Sequence, residues 1–533
     1  MSPFQIHPLP FAATRRFSGL LLDYLSGKPQ LDPFYTYKPE AASFSRALTR
    51  KTFTQQQRDL LTKVLQEQYQ GTQLTEKVAD NIAAFAVENT FCAVTAHQLN
   101  VLTGPLYVIY KAQSVIDLCN LVEQENEGCK MVPVFWLGSE DHDLPEINHI
   151  DLAGSHIEWN TQQQGPAGRM QTAGMEEMIR EVQAATGHHV LAKEWLDTAL
   201  KAYREANNLT AATRTLLHSL FGEQGLVVID GDHPALKAQF ASVMVAEIQE
   251  GVAGRLAKQT SADLAEHYGA QAYVRDINLF YMQDGLRERI ERQGDSYSVL
   301  HTDLVFSQQE LIEAIQKQPE AFSPNVILRP LYQQMVLPSL AYVGGGGELA
   351  YWLQLKGIFD HFETDFPILL LRSSVMVVGR KVAHRMQRLS VSNEAVFQSE
   401  QELVQHLLQH TGNPGMSFDA EKERITALFE DLKQSVAKLD PTLEKAAIAA
   451  GVRAVQQLEK LEKKAFRAAK RRSLTELNQL QFIMDDLFPA GHLQERHYNV
   501  TEMFARYGND FLRQLEGKLN PLQHAFLIFE EGA

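Results

Sequence analysis

Four consecutive residues, Glu140-Asp141-His142-Asp143, set three carboxylates and an imidazole directly after an apolar run from Val132 to Leu137 that stops at Gly138. An imidazole there can move a proton near neutral pH. With His149 close by, the same residues form a donor set for a divalent metal that assists hydrolysis of an amide or a phosphate. Like charges this crowded oppose one another's ionisation unless a partner relieves them. The plain alternative is a solvated acidic turn. What favours chemistry is the run feeding the cluster: a short apolar segment bounded by glycine reads as a strand buried on both faces. In open α/β sheets, ligands bind beyond the carboxyl ends of such strands.

Other apolar runs end in the same way. Phe91–Thr95 reads as a strand followed by His97-Gln98 and a turn at Thr103-Gly104-Pro105, after which a helix can begin. Unpaired N–H groups at that helix start would attract an anion. Tyr107 and Lys111 fall four apart on one helix face, with Lys111 read as solvent-facing. Leu226–Ile229 ends at Asp230-Gly231-Asp232, and Ile368–Leu371 ends at Arg372-Ser373-Ser374. Leu340–Val343 runs into Gly344–Gly347 and Glu348; four glycines suggest a backbone that approaches something closely. No Gly-Lys-Ser/Thr follows, and the GxGxxG order is missing, so neither a Walker A loop nor a dinucleotide fingerprint is present. Buried strands alternating with helices, with polar residues at the strand ends, predict an α/β fold built on a doubly wound parallel sheet.

Composition narrows the function classes. The 533 residues are 44% hydrophobic and 22% charged, which describes an ordinary globular protein of more than one structural unit. A net charge of −15 argues against a general nucleic-acid binder but allows one local cationic pocket. No membrane span or signal-peptide pattern is read. The three cysteines form no CxxC pair, so a reducing, cytoplasmic location is expected.

Those strands need elements to position them. Residues 1–90 read as a mostly helical part of the core, and 91–150 as the first half of the sheet. Residues 151–220 read as a helical insertion, opened by a Gln/Gly-rich loop. The second half of the core, 221–381, contains a β-ribbon near 272–302, where Asp284-Gly285 gives a strong hairpin signal. Its tip, carrying Arg287 and Arg289, is expected to serve as a lid or wall. Residues 382–493 read as a helical coiled-coil domain. Its first seam runs through Ile425, Leu428, Leu432, Val436 and Leu439, and Asp440-Pro441 ends that helix and starts the next. A second seam runs from Val455 to Ile483 as one long helix. The basic stretch from Lys463 to Arg472 reads as a solvated face. Residues 494–533 are expected to dock on the core, and a projecting hairpin of this kind predicts a homodimer.

Taken together, the motifs resemble the bacillithiol biosynthesis BshC family. The resemblance rests on Thr95-Ala96-His97-Gln98 with Leu102–Tyr107 and Ile109–Ala112, on Val134–Asp143 with Glu146–His149, and on Arg329-Pro330, Pro338 and Gly347–Trp352. It covers nearly the whole chain and implies a Rossmann-like core with connecting insertions and a coiled-coil dimer. It also implies an enzyme joining L-cysteine to the amine of glucosaminyl-malate, a cofactor such as ATP or another nucleotide with Mg²⁺, and a core similar to class I aminoacyl-tRNA synthetases. Two departures stand out: relatives are expected to carry a proline in the glycine loop, and the HIGH-type and KMSKS motifs that hold ATP phosphates in the synthetases are missing.

For that reaction, expected roles follow from the chemistry of amide formation, which needs an activated acyl group, an unprotonated amine and support for an oxyanion. His97 or His142 would take the amine proton. Asp141, Asp143 and Glu140 would hold an amino group or Mg²⁺. Lys111 and Arg372 would offset phosphate or malate charge, with Thr103, Gly104 and Tyr107 beside them. Asn148 and His149 would orient the loop or contact ligand, and Arg329, Gly346, Gly347 and Glu348 complete the binding set. The remaining alternatives are the metal-dependent amide or phosphate hydrolase and a non-catalytic dimeric scaffold.

Overall fold

The computed structural model describes residues 4–152, 154–187, 189–269, 274–410 and 418–532. Its centre is a five-stranded parallel sheet of β1 (Thr90–His97), β2 (Lys130–Leu137), β3 (Val227–Asp230), β4 (Ser339–Gly344) and β5 (Ile368–Leu371), in the order β5-β4-β1-β2-β3. These segments are almost continuously apolar because helices cover both faces; β1 and β2 are buried along nearly their whole length. The connections leave β1 in opposite directions, one arm towards β2 and β3, the other towards β4 and β5. That reversal makes the β1/β4 boundary a topological switch point.

Register aligns the strand ends. His97 pairs with Leu137, Leu137 with Asp230, and Gly344 with Leu371, so the polar residues that follow emerge along one edge. Helix α1 (Tyr107–Glu125) returns from β1 to β2 and is buried through most of its length. The turn before it, where an anion site was expected, is tied to the C-terminal segment. The Leu106 N–H donates to the Tyr498 carbonyl, and Asn499 Nδ2 donates to the carbonyls of Leu102 and Gly104. Leu102, Thr103 and Gly104 all have positive φ, so this turn is a tight packing corner beneath the C-terminal segment.

The ribbon is larger than expected. Val305–Ser307, Ser296–Val299, Leu286–Gln293, Leu279–Gln283 and Phe322–Pro324 form one antiparallel sheet in that order. Gly285 takes the positive φ that its hairpin turn requires. The expected limit near 272 falls at 270–273, outside the described residues. A smaller ribbon, His149–Leu152 with Ser155–Glu158, precedes the helices of the first insertion.

The helical N-terminal expectation holds from residue 19 onwards, but Phe4–Pro10 is a strand. It runs antiparallel to Ala525–Glu531, which in turn pairs in parallel with Ser374–Val378. Two prolines on an edge strand do not interrupt a ladder that must be satisfied on one side only. Beyond this sheet, α2 (Asp419–Ala437) and α3 (Glu444–Arg472) form the helical hairpin, with Asp440 accepting the Thr442 N–H at the turn. The second seam is not one helix: it breaks at Ser473, and Leu474–Leu487 leads back to the core. Gly451 lies against Phe429, where a Cβ would come within 2.8 Å of that side chain, which lets α2 and α3 approach closely. No helix among the described residues is long and apolar enough to cross a membrane.

Candidate active site

A cavity of about 820 Å³ opens at the switch point, beyond the carboxyl ends of the strands. It gathers His97, Tyr107, Lys111, Glu140, Asp141, His142, Arg329, Gly346, Gly347, Glu348 and Arg372 from the sequence-derived set. Thr103, Gly104, Asp143, Asn148 and His149 do not line it. Asp143 is exposed to solvent. Asn148 instead ties that loop to the small ribbon: its carbonyl accepts the Trp159 N–H and its Nδ2 donates to Glu158.

Gly138 lets the loop after β2 lie against β1. Its N–H donates to the His97 carbonyl at 2.7 Å, and a Cβ would meet that oxygen at 3.0 Å. The 166–169 segment clips the loop from the other side, with Ala167 N donating to Asp141 O and Gly168 N to Ser139 O. Held this way, Asp141 presents its carboxylate to the cavity. Oδ1 accepts the His142 N–H at 2.7 Å, and Oδ2 accepts Gln98 Nε2 at 2.8 Å. Glu140 turns inward to a buried ion pair with Lys237, which also donates to the Phe322 carbonyl. The four loop residues therefore diverge. Among the described residues, no metal-capable cluster includes any of them.

Both histidines have their acceptor nitrogen engaged. Arg287 can only donate, so its 2.8 Å contact with His142 Nδ1 assigns the neutral tautomer with hydrogen on Nε2. Burial, and next the Arg287 charge, hold the His142 imidazole below its usual 6.5. His97 Nδ1 accepts the Gln98 N–H at 2.7 Å, which leaves Nε2–H for the Tyr107 hydroxyl at 3.0 Å. Burial, reinforced by Lys111, lowers His97 to about 3. His97 is thus a neutral group that positions Tyr107, and the expectation that it takes a proton near neutral pH does not fit its surroundings.

Lys111 departs from the solvent-facing reading as well. Its side chain is 3% exposed and sits 2.5 Å from Glu348 Oε1, with a further bond to the Ala96 carbonyl. Burial opposes a charge on Glu348, yet Lys111, the Tyr342 hydroxyl and the Gly345 N–H together hold it at about 2. The glycine loop is therefore capped by its own carboxylate. Arg372 is likewise committed, making a bidentate pair with buried Glu495 at 2.7 and 2.9 Å.

Uncommitted positive charge comes from the ribbon, where the sequence suggested only a wall. Arg287 is 8% exposed and is held by Ser323 and by the Phe280 ring 3.9 Å away. Neither Arg287 nor Arg289 has a carboxylate at ion-pair distance among the described residues. The signal was present in Arg287-x-Arg289, because alternate residues of a strand share a face. Gln98, Arg275, Tyr351 and Arg496 also line the cavity and were not anticipated.

Two family models match the chain: the bacillithiol biosynthesis BshC N-terminal Rossmann-like domain over residues 4–373, and the BshC C-terminal coiled-coil domain over residues 375–531. Among curated proteins, one from Cytophaga hutchinsonii with the name "Putative cysteine ligase BshC" is 38% identical over 501 residues, covering 94% of each chain. A protein of the same name from Flavobacterium johnsoniae is 36% identical, covering 96% of this chain and 97% of its own. Another from Bacillus cytotoxicus is 27% identical over 93% and 95%. With both domains matched end to end, the chain belongs to the bacillithiol biosynthesis BshC family.

Proposed function

We infer that this chain is a ligase that joins the carboxyl group of L-cysteine to the amine of glucosaminyl-malate. The observation that carries this reading is the charge of the cavity. Seven basic side chains (Lys111, Arg275, Arg287, Arg289, Arg329, Arg372 and Arg496) face Glu140, Asp141 and Glu348, in a chain whose net charge is −15. Lys111 and Arg372 are paired internally; of the five other cations, Arg287 and Arg289 share one face of the ribbon and are the pair we assign to the carboxylates of a malate-bearing acceptor.

Asp141 is held by three donors, the His142 and Asp143 N–H groups on Oδ1 and Gln98 on Oδ2, and Oδ2 keeps a lone pair for the acceptor amine. As the amine nitrogen bonds the acyl carbon and the activated oxygen leaves, its proton passes to Asp141. His142, with Arg287 on Nδ1, offers Nε2–H to the developing oxyanion. The phosphates of a nucleotide would be held by other cations of the lining, Arg329 and Arg496. A bound nucleotide would supply the activation that makes the cysteine carboxylate electrophilic. Phe280 and Trp136 add apolar surface to the cavity lining.

Purified protein incubated with L-cysteine, glucosaminyl-malate and Mg²⁺-ATP is expected to form the cysteinylated amide. A strain lacking the chain should accumulate glucosaminyl-malate. Normal thiol levels in that strain would overturn the assignment.

The hairpin supports a second element of the proposal, a homodimer. Leu428, Leu439, Val452 and Leu461 are 56%, 84%, 52% and 55% exposed, and a partner hairpin would cover them.

A further inference from the structure

Outside the cavity, His149, Asp151, His156 and Glu158 stand on one face of the small ribbon. Its antiparallel register sets His149 opposite Glu158 and Asp151 opposite His156. Strand alternation turns Ile150, Leu152 and Ile157 to the other face, where all three are buried. The outward face at these four positions therefore carries only side chains able to ligate a metal. One ligand atom each from His149, Asp151 and His156 lies within 4.8 Å of the others. The two imidazole rings are 4.8 Å apart between centroids, and Asp151 Oδ1 lies 2.8 Å from His156 Nδ1.

A two-stranded ribbon is marginal on its own, and this one pairs with no third strand among the described residues. We propose that His149, Asp151 and His156 bind one divalent transition-metal ion of the zinc type per chain, cross-linking the ribbon. Two neutral imidazoles and one carboxylate suit zinc, with bonds of about 2.0–2.2 Å and a fourth position left to water. Imidazole donors disfavour magnesium, which selects oxygen. His149 and Asp151 are half-buried and His156 is exposed, so the three side chains have room to turn towards one ion. Support for the ligands is in place: His149 Nδ1 lies 3.4 Å from Asn148 Oδ1, and Asn148 Nδ2 donates to Glu158 opposite.

The site is separate from the cavity, since none of its three residues lines it. It is nevertheless linked to the Glu140–Asp143 loop through Leu144–Ile147 and Asn148, so metal binding stiffens the segment immediately downstream of the candidate chemistry.

Full-length protein without a histidine tag, stripped by chelator, would be titrated with zinc against a chromophoric competitor. One equivalent per chain is expected, with a rise in Tm on adding zinc. The double variant His149→Ala/His156→Ala should lose both responses, and Asp151→Asn should weaken binding at least about tenfold. His142→Ala should keep the full equivalent. Retention of zinc by the double variant, loss of it in His142→Ala, or no zinc uptake at micromolar concentration would each overturn the proposal. Should the double variant misfold, the single variants His149→Gln and Asp151→Asn decide the matter by the same titration. Amide formation is a separate readout, so a failed zinc titration leaves the ligase reading standing.

Discussion

Lys111 Nζ lies 2.5 Å from Glu348 Oε1, so α1 and the glycine loop after β4 are tied by a buried ion pair across the switch point. Removing one member leaves the other charge without compensation, which costs about 3–5 kcal/mol at buried pairs. Glu348 is 25% exposed and keeps two other donors, so Lys111→Ala is expected to lower stability by less than that, about 1–3 kcal/mol, in chemical denaturation. The double variant Lys111→Met/Glu348→Gln should recover part of the loss. A stability change below about 0.5 kcal/mol in Lys111→Ala would show that the pair is not formed.

Arg287 connects anion binding with the state of His142. Arg287→Met is expected to raise KM for the malate-bearing acceptor. It should also move the His142 titration upwards, because a neighbouring cation that disfavours imidazolium is gone. Nuclear magnetic resonance of the imidazole against pH reads the second effect directly. An unchanged titration would break the link between the two side chains.

His142→Gln carries an amide N–H to about the position of Nε2, whereas His142→Ala carries nothing. If the role is donation to an oxyanion, the alanine variant should lose roughly a hundred- to a thousandfold in kcat, and glutamine should keep more activity than alanine. Equal losses in the two variants would point to proton transfer instead.

His97 makes a specific contribution to acid stability. Its folded value of about 3 lies below the usual 6.5, so between these limits the unfolded chain binds more protons than the folded one. Stability from this group is complete above about pH 6.5 and is lost as pH falls towards 3. His97→Gln should flatten the stability profile across that window while leaving other acid transitions in place. A slope identical to that of the unsubstituted protein would contradict the burial of the imidazole.

The hairpin should assemble through its exposed apolar residues. Leu432→Lys with Val452→Lys is expected to give a monomer in analytical ultracentrifugation, with the sheet domain intact by circular dichroism. A native protein that is already monomeric at micromolar concentration would exclude the homodimer.

The parallel sheet was legible because its strands are buried on both faces, which writes uninterrupted apolar runs such as Val132–Leu137 and Ile368–Leu371 into the sequence. The edge strand Phe4–Pro10 was not, because its partner, Ala525–Glu531, lies far along the chain and its two prolines mimic a loop. Within the site, strand-end positions fixed His142, Asp141 and Glu348 at the cavity. The sign of a contact was harder to read than its place: Lys111 and Arg372 look like free cations until Glu348 and Glu495 are seen beside them. Glu495 lies 123 residues beyond Arg372, so no local pattern announces that neutralisation.

That separation bears on how the protein is made. The five strands of the central sheet are complete by Leu371, long before the ribosome has delivered Glu495 or the strand Ala525–Glu531. A nascent chain at that stage carries Arg372 with no counter-ion and Phe4–Pro10 with no strand to pair with, although the amino-terminal part of a chain generally folds first during synthesis. The cavity therefore reaches its final charge balance only after Glu495 has been made, and a chain that stops at the sheet leaves the Arg372 charge unpaired by it.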